Sequence, residues 1–261
     1  MNRFFVCTLI ILSKITPVTY AQTVMLDCYF NHETYKTSHG TERFHYLWSD
    51  ERDSGFSIWG DIFKANGFKL DTLDKAPSVS NLKNSNVYII VDPDTKKETA
   101  NPNYIKAEDV EQIAAWVKAG GILVIMANDS ANVELPHFNN LAAKFGLHFN
   151  NDLQNHVVDD KHFKDGEVIY VDNDIFRSKP TLFLKDVCSI SINNPEGKPV
   201  FKSADGAVVI AATAKYGKGT VFAVGDPWLY NEYVNGRLPA GYHNDVAAKE
   251  LTAWLKEQIK K

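Results

Sequence analysis

Four short apolar runs in this chain each end on a cluster of polar side chains, and that arrangement constrains the fold more than any other feature. Val24–Phe30 (VMLDCYF) releases Asn31, His32 and Glu33, and Val87–Val91 (VYIIV) releases Asp92, Pro93 and Asp94. Ile122–Met126 (ILVIM) releases Asn128 and Asp129, and Thr220–Val224 (TVFAV) releases Gly225, Asp226 and Pro227. Runs of this length, rich in β-branched residues, read as buried strands. A helical pattern over Ala107–Ala119 is closed by Gly120-Gly121 and leads straight into Ile122. Strand, helix, glycine stop and strand in succession define an α/β unit with parallel strands. In an open α/β sheet, ligands bind outside the carboxyl ends of the strands. The polar groups released there are therefore expected to share one crevice.

The rest of the chain fits around those runs. A helix is expected over about Gly55 to Asn66, capped by Asp53 or Ser54, with Phe56, Trp59, Ile62 and Phe63 as its apolar stripe. Trp48 and Trp59 read as core. Lys69–Leu73 reads as an edge strand, and Asn31 to Arg52 as a long polar and aromatic loop. His137–Phe145 reads as a short helix followed by a strand at Leu147–Phe149. Residues 150–199 lose the helical pattern and read as a β-rich excursion, with strand-like runs at Val168–Val171, Leu182–Leu184 and Val187–Ile192 added at one sheet edge. A meander follows through Val200–Lys202, Ala207–Ala212 and Thr220–Val224, and Asp245 to Ile259 closes the chain as an amphipathic helix.

Composition excludes several functions. Of 261 residues, 44% are hydrophobic and 23% charged, with a net charge of -4, which is ordinary globular composition. No basic cluster interleaves with aromatics, so nucleic acid is not an expected partner. Residues 1–21 read as a cleavable leader: Arg3, an apolar Phe4–Leu12 and a small-x-small end at Thr19-Tyr20-Ala21. That places the mature chain, 22–261, in a periplasm or outside the cell as one α/β domain, with no membrane span. Cys28 and Cys188 then either pair in an oxidising compartment or stay as buried thiols.

Named chemistries are absent. There is no G-x-S-x-G, no Walker A, no G-x-G-x-x-G and no H-E-x-x-H. No cofactor or metal is expected. The segment from Gly225 to Tyr242 presents Trp228, Tyr230 and Tyr233 beside Asn231 and Glu232, a mixture of ring faces and hydrogen-bonding groups that suits a sugar. The expected ligand contacts are Glu33, Asp92, Asn128, Asp129, Trp228, Tyr230, Asn231, Tyr233, Arg237 and His243, with Arg237 and Arg52 available to a uronate. If the chain is an enzyme, Asp226, Glu232 and His32 are the candidate proton-transfer groups for a glycoside hydrolase or lyase. Each Asp has a competing structural role, because Asp after a strand commonly caps the turn that follows.

Several stretches together resemble a known family: SGFSIWGDIF at 54–63, YIIVDPDT at 88–95, WVKAGGILVIMAND at 116–129, HFNNLAAKFG at 137–146 and AKYGKGTVFAVGDPWLYNEY at 214–233. They are similar to the domain of unknown function 4350, which is also found fused to glycoside hydrolase family 105 or 88 domains, the unsaturated rhamnogalacturonyl hydrolases. The resemblance implies a flavodoxin-like, class I glutamine amidotransferase-like three-layer sandwich with a mostly parallel sheet. It also implies a setting in pectin or related acidic-polysaccharide use. The expected partner is an acidic oligosaccharide or polysaccharide fragment bound at the crevice or, for a non-catalytic scaffold that docks through its edge strands, a partner glycosidase. Amidotransferase chemistry is not implied, because the turn after Ile122–Met126 carries Ala127-Asn128-Asp129 where that chemistry needs a Cys.

Overall fold

The computed structural model describes residues 22–52, 54–129, 131–231, 234 and 236–259. The expected leader, Glu232, Tyr233 and the alternative cap Asp53 lie outside the described residues.

In chain order the strands and helices are β1 (Gln22–Asp27), β2 (Thr34–Thr37), β3 (Gly40–Arg43), α1 (Ser57–Ala65), β4 (Phe68–Leu73), α2 (Val79–Leu82) and β5 (Val87–Val91). They continue with α3 (Ala107–Lys118), β6 (Ile122–Met126), α4 (Leu135–Lys144), β7 (Leu147–Phe149), β8 (Ile169–Tyr170) and β9 (Ile190–Ile192). The last four are β10 (Lys198–Lys202), β11 (Val209–Tyr216), β12 (Gly219–Val224) and α5 (Asn244–Gln258). Eight strands form the central sheet in the order β4-β1-β5-β6-β12-β11-β10-β8. The first five are mutually parallel, and β11, β10 and β8 extend the sheet antiparallel. The parallel part has the flavodoxin-like order, in which the chain reverses direction across the sheet between β1 and β5. The fold is thus a three-layer α/β sandwich with a β-rich addition.

Alternation along the strands builds the two faces. Val24, Leu26, Ile89, Val124 and Phe222 pack under α1 and α5 with Trp59, Phe63, Leu251 and Leu255. Met25, Tyr88, Ile90, Leu123 and Val221 pack on the other side with Val110 and Ile113 of α3 and Phe138 and Leu141 of α4. Buried polar groups are tied in: Trp59 Nε1 donates to Thr252 Oγ1 at 3.1 Å and Trp116 Nε1 to the Leu82 carbonyl at 3.0 Å.

Several expectations need correction. The segment 31–52 contains a hairpin, β2–β3, whose residues alternate between exposed and half-buried and so carry no apolar signal. The N-cap position of α1 is Phe56, two residues past Ser54, and its side chain makes no capping bond; the alternative cap Asp53 lies outside the described residues. Leu182–Leu184 is fully buried but forms only an isolated bridge, Glu167 with Phe183. In the 150–199 excursion only β8 joins the sheet edge, while β9 pairs with β7 in a separate two-stranded sheet. Cys28 and Cys188 are both buried free thiols, and burial pushes the Cys28 thiol up to about 12. Among the described residues no helix is long and apolar enough to cross a membrane.

Gly225 shows how tightly the end of β12 is packed. Its N–H donates to the Ile210 carbonyl and its carbonyl accepts from Cys188 N–H at 3.1 Å, so a Cβ there would overlap the Cys188 carbonyl oxygen. Gly225→Ala is expected to cost at least about 1–3 kcal/mol in a urea melt, the usual range for overpacking. A wild-type midpoint would contradict the packing described.

Asp27, the last residue of β1, is fully buried. Tyr88 OH donates to its Oδ1 at 2.6 Å and the Phe30 N–H to its Oδ2 at 2.8 Å. Desolvation outweighs these bonds and raises its pKa to about 7. A carboxyl that holds its proton more tightly when folded stabilises fully below the unfolded value and loses that stabilisation as pH rises through the folded one. Asp27→Asn is therefore expected to flatten the fall in stability between about pH 4 and pH 7. Parallel stability–pH curves for the two proteins would refute this.

Candidate functional site at the strand ends

The carboxyl ends of β1, β5, β6 and β12 lie side by side, and the loops leaving them wall a cavity of about 460 Å³. It opens where the topology reverses between β1 and β5, the place where an open α/β sheet leaves a crevice. Glu33 comes from the loop after β1, Asp92 and Glu98 from the loop after β5, and Asn128 and Asn132 from the loop after β6. Trp228 and Arg237 come from the segment after β12. His45, Tyr46 and Ser54 complete the wall from the stretch between the β2–β3 hairpin and α1.

Asp92 is the centre of this arrangement. It is 6% exposed and has φ +44°, a left-handed conformation that costs a non-glycine residue roughly 1–2 kcal/mol. Its backbone is held on both sides: its N–H donates to the Met126 carbonyl at 2.9 Å and its carbonyl accepts from Asn31 Nδ2 at 2.7 Å. Its Oδ2 accepts from Tyr46 OH at 2.9 Å and from Asn128 Nδ2 at 3.0 Å. The Asn128 amide is oriented for this because its own oxygen accepts the Asp129 N–H at 2.8 Å. Asp92 Oδ1 is buried and has no hydrogen-bond partner among the described residues. Desolvation raises the Asp92 pKa well above the ordinary carboxylate range. The Asn128 and Tyr46 hydrogen bonds lower it, and the charges of Glu98 and Glu33 raise it.

In the same cavity Glu33 and His45 form a pair, with Oε1 and Nδ1 2.7 Å apart. His45 and Tyr46 have φ +63° and +49°, so three of the cavity's wall residues are held in left-handed backbone. Strain of this kind persists only where the surroundings enforce it, and it concentrates at sites of function. Burial also raises the Glu98 pKa, although two bonds from Thr95 to Glu98 Oε2 oppose the shift.

Of the residues expected from sequence, Glu33, Asp92, Asn128, Trp228 and Arg237 line this cavity. Asp226 does not: its Oδ1 accepts the Trp228 N–H at 2.6 Å and caps a short 3-10 turn. It is fully buried, and desolvation raises its pKa well above the usual carboxylate range. His32 does not line it either; its Nδ1 lies 3.3 Å from Asp94 Oδ2. Asp129 bonds the Ala131 N–H and Asn132 Nδ2 and shapes the loop. Tyr230 is 7% exposed and packs in the core, and Asn231 is fully buried. His243 is an exposed residue at the start of α5 whose N–H bonds the Thr181 carbonyl. Glu232 and Tyr233 lie outside the described residues. The sequence reading missed His45, Tyr46, Ser54, Glu98 and Asn132 as wall residues; the unusual length of the loops after β1 and β5 was the available signal. Among the described residues no group of three His, Cys, Asp or Glu is placed to hold a metal ion.

Asp92→Asn keeps the shape of the side chain and removes its titration. Because the folded pKa is raised, wild-type stability falls as pH climbs above the ordinary Asp value. The variant is expected to gain stability relative to wild type between pH 5 and pH 8 (roughly the range over which an ordinary carboxyl is already ionised), read from urea midpoints. Equal differences at the two pH values would mean that Asp92 is not desolvated as described.

No family model and no curated protein matches the sequence. Solved structures share its fold. The mmIFT52 N-terminal domain is 16% identical, with a TM-score of 0.63 over 90% of this chain and 97% of that one. A cytoplasmic protein from Salmonella typhimurium LT2 is 12% identical, with a TM-score of 0.57 over 89% and 98%. The β-galactosidase from Rahnella sp. R3 is 13% identical, with a TM-score of 0.54 over 91% of this chain and 31% of the enzyme, so this chain spans under a third of it. At these identities what is shared is a flavodoxin-like α/β fold.

Proposed function

We propose that this chain is an exported accessory protein of polysaccharide use that binds an oligosaccharide in the strand-end cavity. The observation that carries the reading is the composition of one wall: the Trp228 ring, the Asn128 and Asn132 amides, the carboxyls of Glu33, Asp92 and Glu98, and Arg237 meet around a single 460 Å³ space. A pyranose needs an apolar ring face to stack on and both donors and acceptors for its hydroxyls, and this wall supplies them. Trp228 is held in place, with Lys185 Nζ 4.9 Å from its ring centroid and its backbone N–H donating to Asp226 Oδ1. Export rests on the leader-like 1–21 segment, and the pectin or rhamnogalacturonan setting rests on the resemblance to the domain of unknown function 4350.

One observation favours a second reading, a glycoside hydrolase or lyase. Burial keeps a proton on Asp92 into a pH range where surface carboxyls are ionised, and the Glu33–His45 pair stands in the same cavity. A neutral acid and a paired base on one wall can donate and accept a proton. In that reading Asp92 takes a proton-transfer role expected from sequence at Asp226, Glu232 and His32.

A panel of pectic and neutral oligosaccharides, tested by calorimetry and by product analysis, separates the two. Binding without turnover is expected. Trp228→Ala should weaken it by roughly tenfold, the equivalent of about 1.4 kcal/mol. Turnover abolished by Asp92→Asn would establish the enzyme instead, and the absence of both heat and product across the panel would refute a glycan site.

A further inference from the structure

The strand-end cavity continues into a second one. His45 and Ser54 line both it and an adjoining space of about 320 Å³, whose remaining wall is Tyr35, Phe44, Asp50 and Arg52. The two compartments differ in chemistry. Three carboxyl groups, Glu33, Asp92 and Glu98, line the first. An anionic sugar unit placed there would lie among three carboxyl groups and oppose the ionisation of each, with the exposed Arg237 as the arginine on that wall. The second compartment has aromatic walls: the Tyr35 and Phe44 rings meet edge to face at 5.1 Å, and His45 lies 3.9 Å from Phe44. Its single carboxylate, Asp50, already accepts the Arg52 backbone N–H at 3.1 Å and lies 3.7 Å from the Arg52 guanidinium.

Arg52 is the group this second compartment offers to an anion. Its guanidinium sits 5.6 Å from the centroid of the Tyr35 ring, and one terminal nitrogen donates to Tyr35 OH at 2.9 Å. The side chain is still 68% exposed. A guanidinium steered by a ring and one hydroxyl keeps further N–H donors for a carboxylate, in the planar fork that matches it. Holding a long side chain in place beforehand reduces the entropy lost on binding.

Building on the proposed glycan site, we infer that the ligand is a chain carrying a neutral, hydroxylated unit in the carboxyl-lined cavity and a uronic acid unit next to it. The acid unit packs against the Tyr35–Phe44 pair, and its carboxylate pairs with Arg52. The site therefore reads an alternation of neutral and acidic units in a fixed order, and prefers it to a run of acids.

The test compares a neutral–uronate disaccharide with the same disaccharide whose carboxyl has been reduced to an alcohol, by calorimetry on the whole chain. The acidic form is expected to bind about tenfold more tightly at low salt, with the preference shrinking as salt is raised. Arg52→Ala should bring the two affinities together, and Arg52→Lys should restore part of the gap. Arg52 is on the surface, so an unchanged melting curve would show that the variant is folded. Equal affinity for both disaccharides, or a preference that survives Arg52→Ala, overturns this inference and leaves the strand-end glycan site standing. Failure of both disaccharides and of every neutral sugar to bind removes the glycan site and this inference together.

Discussion

A buried carboxyl group organises the functional edge of this protein. Asp92 leaves β5 with left-handed backbone, and its polar atoms bond to the loop after β1 through Asn31, to the strand end of β6 through Met126, to the loop after β6 through Asn128, and to the stretch before α1 through Tyr46. Three stretches, around residues 31, 46 and 126–128, are thereby registered against one residue. Taking a carboxylate out of water is costly, and two hydrogen bonds to one oxygen offset only part of that cost, so the group keeps its proton more readily than a surface Asp. A residue selected only for stability would be apolar at such a position. The combination of burial, an oxygen without a partner among the described residues, and strained backbone is what a site retains for use.

The same logic separates Asp92 from Asp27 and Asp226, which are buried at the end of β1 and just past β12. Asp27 takes the Tyr88 hydroxyl and the backbone N–H groups of the turn that follows it. Asp226 caps the turn carrying Trp228. Both shape loops and neither lines the cavity. Three strand-end aspartates that look alike in sequence therefore divide into two that build the wall's support and one that forms the wall itself.

That division marks how far the sequence could be read. The parallel strands, their order of polarity and the edge at which polar groups gather follow from apolar runs and the glycines that stop them, because burial on both faces demands continuous hydrophobicity. Trp228, Asn128, Asp92 and Glu33 could be placed near one another on that basis alone. The β2–β3 hairpin could not, because it packs as a half-exposed flap whose residues, such as Thr34 to Thr37, show no apolar alternation. His45 and Tyr46 reach the cavity only because two consecutive residues adopt left-handed backbone, a turn that no local residue preference announces. Tyr230 misled for the opposite reason: its flanking polar residues suggested exposure, while tertiary packing buries it beside Leu229.

Structures with this fold include an mmIFT52 N-terminal domain and a β-galactosidase, and that spread follows from where the chemistry sits. The sheet fixes only the position of the crevice, while every wall residue apart from those at the strand tips comes from loops free to vary. Here the loops supply two compartments of unlike charge joined through His45 and Ser54. His45 touches both the Glu33 carboxylate and the Phe44 ring, so any shift that repacks the aromatic compartment also moves the partner of the acid one. Under the proposed glycan reading, selectivity for the unit in one compartment is in this way tied to the unit in the other through His45.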